Sequence, residues 1–96
     1  MALPFDVRTS ETFQISWKKY SYEAGPGYRE FDRSVLTAVR RLFAEGPGTG
    51  EKRGDARYAV PIAPGYELVY EWVTERDERG NATSNHLDLL PIERVA

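Results

Sequence analysis

The stretch from Arg57 to Glu75 constrains the fold more than any other, because it reads as a strand, a tight turn and a second strand. Arg57-Tyr-Ala-Val-Pro-Ile-Ala63 is short and rich in β-branched and aromatic residues. Pro64-Gly65 supplies turn chemistry: proline presets φ, and glycine takes a positive φ without strain. From Tyr66 to Glu75 the chain alternates, with Tyr66, Leu68, Tyr70 and Trp72 on one face and Glu67, Val69, Glu71 and Val73 on the other. Successive side chains of a strand point to opposite faces. The aromatic face is therefore expected in the core, the glutamate face outward, and the strand central in a sheet.

The rest of the chain is read around that hairpin. Leu3 to Arg8 alternates Phe5 and Val7 against Asp6 and Arg8, the pattern of a short strand. Thr9-Ser10-Glu11 offers a hydroxyl cap and an acid for a first helical turn. Phe13, Trp17 and Tyr20 then recur at helical spacing, which predicts a helix over 10–20. A strand is the rival reading, since Phe13, Ile15 and Trp17 also alternate. Residues 21–28, with Gly25-Pro26-Gly27, read as a loop. A helix is expected over Glu30–Glu45, with an apolar stripe of Leu36, Val39, Leu42 and Phe43 and with Arg33, Arg40 and Arg41 outside it. Asp32 or Ser34 would cap it, and Gly46-Pro47-Gly48 would stop it. Residues 49–56 read as a polar loop and Arg76–Ala82 as a charged turn. His86–Ile92 reads as a last strand that leaves its ladder at Pro91, which has no N–H to donate.

The expectation is an α+β domain over residues 1–96, ordered β-α-α-β-β-β. Two helices cover one face of a mostly antiparallel four-stranded sheet. Ninety-six residues suit one core. No apolar run approaches the length of a membrane span, and no secretory signal peptide is recognisable. The chain has no cysteine. That excludes disulfide and thiolate chemistry and fits a cytoplasmic location. One histidine without cysteine gives no metal-ligand spacing, and no cofactor is expected. The net charge of −2 argues against a chain whose main work is gripping nucleic acid, which usually shows a basic surplus.

At this resolution the chain resembles the RelE/ParE superfamily of small toxins from bacterial toxin–antitoxin pairs. The resemblance is carried by Phe5-Asp-Val-Arg with Trp17-Lys-Lys-Tyr20, and by Val39-Arg-Arg-Leu-Phe-Ala-Glu-Gly-Pro47. Gly65-Tyr-Glu-Leu-Val-Tyr70 and Leu87-Asp-Leu-Leu-Pro-Ile-Glu-Arg94 complete it. It covers roughly residues 4–95. RelE-like members are ribosome-dependent mRNA endonucleases, ParE-like members bind gyrase, and both are held inactive by an antitoxin protein. The resemblance implies the same classes of partner here: an antitoxin, with the ribosome and its mRNA or gyrase as target. The nuclease mechanism, 2′-OH attack on the adjacent phosphate, needs cations at the phosphate and groups that move protons.

Carried over residue by residue, the resemblance makes Lys52, Arg53 and Arg57 the RNA-binding candidates. Glu67, His86 and Arg94 become the candidate catalytic residues, with His86 or Glu67 moving protons and Arg94 meeting phosphate. Glu67 stands where the family pattern has an arginine, and a carboxylate repels the phosphate that a guanidinium would clamp. A second reading therefore stays open, a non-catalytic protein-binding module on the same fold. The plain structural readings are that His86 is a surface histidine beside the last strand, and that Glu67 and Glu71 lie on a solvated face. Lys52, Arg53 and Arg57 would then belong to an ordinary polar loop, and Trp17 and Trp72 to the core.

Overall fold

The hairpin at the centre of the sequence forms the centre of the sheet. In the computed structural model, which describes residues 5–95, β3 (Arg57–Ala63) and β4 (Tyr66–Arg76) pair antiparallel across the Pro64-Gly65 turn. Gly65 takes φ 85°, the left-handed conformation the turn requires. The remaining elements are β1 (Phe5–Thr9), α1 (Glu11–Glu23), α2 (Tyr28–Glu45), β2 (Glu51–Lys52), β5 (Ala82–Leu89) and β6 (Glu93–Arg94). Leu3 and Pro4, assigned from the sequence to the first strand, lie outside the described residues.

The strand order is β1-β5-β4-β3-β2, with β6 pairing the start of β4. β1 runs parallel to β5; all other pairings are antiparallel. The α+β class with two helices holds, but the sheet is mixed and has six strands, not four. One extra strand, β2, lies in the segment expected to be loop. The other, β6, forms after Pro91 carries the chain off β5, so β4 exchanges one neighbour for another along the same edge. β5 begins at Ala82, four residues before the expected His86.

Backbone direction alternates along β4. Trp72 N donates to Ala56 O, whereas Leu90 N donates to Val69 O and Val95 N to Gly65 O. Even-numbered residues of β4 thus bond toward β3 and odd-numbered ones toward β5 and β6. Pro61, opposite Glu67, turns its nitrogen away from β4 to a stretch of edge that β2, paired only to Tyr58 and Ala59, leaves open. A proline there removes the donor that would invite another strand.

Residues 10–20 are helical, and the helix runs on to Glu23. Ser10 caps it: its Oγ accepts from Phe13 N at 3.0 Å. The supposed loop at 21–28 holds the end of α1, a 3₁₀ turn at 25–27 and the first residue of α2. Neither expected cap serves α2. Asp32 instead accepts from Trp17 Nε1 at 2.8 Å, tying the two helices, and Ser34 Oγ donates to Glu30 O within the helix. The buried stripe of α2 is Phe31, Val35, Ala38 and Leu42; of the expected stripe Leu42 is in it and Val39 packs against it. Leu36 and Phe43 are exposed, at 42% and 56%. The helix has two apolar stripes, and the sheet takes the one that places the small Ala38 against it.

Both helices pack on the face of the sheet that carries Leu68, Tyr70, Leu87 and Leu89. Trp72, expected in the core on the same face, is 36% exposed because it lies farther along β4, where it flanks Tyr58 with ring centroids 6.2 Å apart. No helix among the described residues is long and apolar enough to cross a membrane.

Candidate functional site: the open face of the sheet

The face opposite the helices is built by strand register. Arg8, Asp88, Glu71 and Arg57 are cross-strand partners in one row over β1, β5, β4 and β3. Glu67 faces Pro61 on one side and Glu93 on the other. Asp6 lies beside His86, which faces Val73. By the same register Glu51 and Glu75 share this face. Among the described residues, seven carboxylates (Asp6, Glu51, Glu67, Glu71, Glu75, Asp88, Glu93) therefore meet three arginines (Arg8, Arg53, Arg57) and one histidine on this face.

The arginines are engaged. Arg53 makes a bidentate contact with Glu67, at 3.3 and 3.0 Å, and lies 3.6 Å from Glu51. Arg57 Nε lies 3.8 Å from Glu71. Arg8 spans Asp6 at 3.5 Å and Glu75 at 3.7 Å, reaching from β1 over β5 to β4. A guanidinium already sharing carboxylates has little charge left for a phosphate, and the bidentate pair is the firmest of the three.

His86 is not the surface histidine expected. It is only 6% exposed and sits mid-strand between Asp6 of β1 and Val73 of β4. Its Nδ1 is 3.5 Å from Glu75 Oε1 and its Nε2 3.4 Å from Asp88 Oδ1. Nδ1 is buried and has no hydrogen-bond partner.

The candidate catalytic residues are not brought together. His86 faces Val73, six residues along β4 from Glu67, which separates them by about 20 Å at the rise of a strand. Arg94 lies on the other side of the sheet. It bonds Glu23 at 2.7 Å and lies over the rings of Tyr20 and Tyr66. Its guanidinium is held above the ordinary arginine value first by the hydrogen bond with Tyr66 and then by charge on Tyr66 and Glu23. The RNA-binding candidates are split as well: Lys52 is paired with Tyr58 and shares its helix-side face, while Arg53 and Arg57 are on the open one.

A groove of about 810 Å³ runs between α2 and the edge of β3. Of its arginines, Arg41 is bonded to Glu45 at 2.7 Å and Arg53 to Glu67. Among the described residues, no group of three or more His, Asp and Glu side chains is arranged to hold a metal ion.

Alternation puts Glu67 and Glu71 on this face with some of Arg57, Asp88 and Arg94; Arg57 and Asp88 are there, Arg94 is not, and the pairing itself was not foreseen. Glu71 with Asp88, and Glu67 with Glu93, place carboxylates directly opposite each other. The alternation of Ser84, His86 and Asp88 against Asn85, Leu87 and Leu89 was the available signal, although only register says which glutamate each one meets. No protein-family model, curated protein or solved structure matches the chain.

Proposed function

We propose that this chain is a RelE/ParE-like module that acts by binding another protein rather than by cutting RNA. The observation that carries this reading is the bidentate Arg53–Glu67 pair. It joins one of the phosphate-contact candidates, Arg53, to the residue that departs from the nuclease pattern, so that neither is left to serve a phosphate. The separation of His86, Glu67 and Arg94 supports it, since general acid–base work requires groups within hydrogen-bond reach of one reacting centre. The surplus of carboxylates on the open face supports it too, because a polyanion is repelled there. On the family resemblance, the partners in view are an antitoxin and a target of the gyrase kind.

The test is primer extension on a message translated in a reconstituted ribosomal reaction with the pure chain. The message is expected to stay full length, while the product of the adjacent reading frame co-purifies with the chain. A codon-specific cut made by the wild type and lost in Arg57→Ala would overturn the reading.

A further inference from the structure

We propose that the outer edge of β1 pairs antiparallel with β1 of a second copy, about a two-fold axis at Val7, so that the two sheets run on as one. This goes beyond the protein-binding reading above and does not depend on it, since it concerns the edge of the sheet rather than its open face.

The two edges of the sheet differ. On the β3 side, Pro61 turns outward a nitrogen with no hydrogen, and β2 has only two residues. Among the described residues β1 pairs with β5 alone, and its five residues include no proline and no lysine. Register says which backbone groups it presents. Odd-numbered residues of β4 bond toward β5, so their partners His86 and Asp88 turn N–H and C=O to β4, and Leu87 between them turns its own to β1. Leu87 is the parallel partner of Val7, and so bonds to the residues flanking it, Asp6 and Arg8. Phe5, Val7 and Thr9 therefore turn N–H and C=O outward, a template for one more strand.

The side chains along that edge are self-complementary. A two-fold contact requires that where residue i meets j, j also meets i. With the axis at Val7, Asp6 lies opposite the second copy's Arg8 and Arg8 opposite its Asp6, two favourable cross-strand pairs on the open face. On the helix side Val7, half-buried against the core, meets its own counterpart. Outward backbone groups must meet outward ones, so the register slips only by two residues. One such slip sets Asp6 against Asp6 and the other sets Arg8 against Arg8. A strand of uniform charge from another protein would set one of the two against its like, whereas a second copy carries the complement by symmetry.

Two five-residue strands bury little, so the dimer is weak. Sedimentation equilibrium is expected to show monomer at about 1 μM and mostly dimer at about 1 mM. Asp6→Arg and Arg8→Asp should each raise the dissociation constant about ten-fold or more. An equimolar mixture of the two should dimerise about as well as wild type, because each variant then carries the other's complement. The chain has no cysteine, so an introduced one reports its own position. Val7→Cys should cross-link between copies under mild oxidation, since Cα atoms about 5.5 Å apart permit a disulfide. Thr9→Cys, about 14 Å from its counterpart at the rise of a strand, should not. If a charge variant fails to melt cooperatively, the two cysteine variants decide. A chain that stays monomeric at about 1 mM overturns the proposal and leaves the edge to another protein. So do charge variants that each dimerise alone as wild type does, or cross-linking that does not favour Val7→Cys over Thr9→Cys.

Discussion

Tyr70 shows how much one side chain can fix. It lies at the middle of β4, fully buried, and its hydroxyl accepts from Gly50 N at 3.1 Å, pinning the segment that leads into β2. The approach is so close that a Cβ on Gly50 would stand 2.5 Å from that hydroxyl. Burial, the leading cause, pushes the Tyr70 phenol above its ordinary value, against the hydrogen bond from Gly50. A raised folded-state value means that the stability due to the neutral phenol is fully present below the ordinary tyrosine value, about 10, and is lost as pH rises through the higher folded one. Tyr70→Phe is expected to cost about 1 kcal/mol at neutral pH through the lost hydrogen bond. It should also lessen the fall of the melting temperature in alkali, a comparison thermal melts at several pH values will make. The burial of Tyr70 was legible in the sequence from strand alternation alone. That of His86 was not, because its cross-strand neighbours, Asp6 and Val73, are set by the long-range pairing of β5 with β1 and β4.

At the scale of elements, α2 is the instructive case. Phe31, Val35, Ala38 and Leu42 form one helical stripe, and Leu36, Val39 and Phe43 form another beside it. Hydrophobicity alone favours the second, since alanine counts for little. Packing favours the first, because a helix seats closely where its side chains are small. Leu42→Ala is expected to cost about 2–5 kcal/mol by leaving a cavity, whereas Leu36→Ala should cost about 0.5 kcal/mol or less. Denaturant melts of the two variants decide which stripe carries the core. The strands β3 and β4 were legible because each is long enough to show its period. The two-residue strands β2 and β6 have none to show, and their pairing comes from the turn at 53–57 and from Pro91 ending β5.

For the whole molecule, the sequence made the layering plain and left the closure hidden. Helices on one face and carboxylates on the other follow from the alternation of β4. That β1 lies parallel to β5, and that Glu93 returns to face Glu67, are facts of long-range register to which local pattern is blind. The split of the candidate site has the same origin: residues grouped by a family pattern are distributed by pairing over both faces. A chain ending at Asn81 lacks β5 and β6, so β1 has no strand to pair with and β4 loses the neighbours along one edge. It is expected to show no cooperative thermal transition by circular dichroism.

The parallel seat of β1 also bears on how the protein is made. During translation β1 leaves the ribosome well before β5, the strand it pairs with, has been read. At about 5–20 amino acids per second, the nascent polypeptide spends seconds with that ribbon unclaimed, and folding cannot proceed in the order of synthesis. A pause between the codons of α2 and those of β5 would prolong that exposure, whereas one placed before the helices would leave it unchanged.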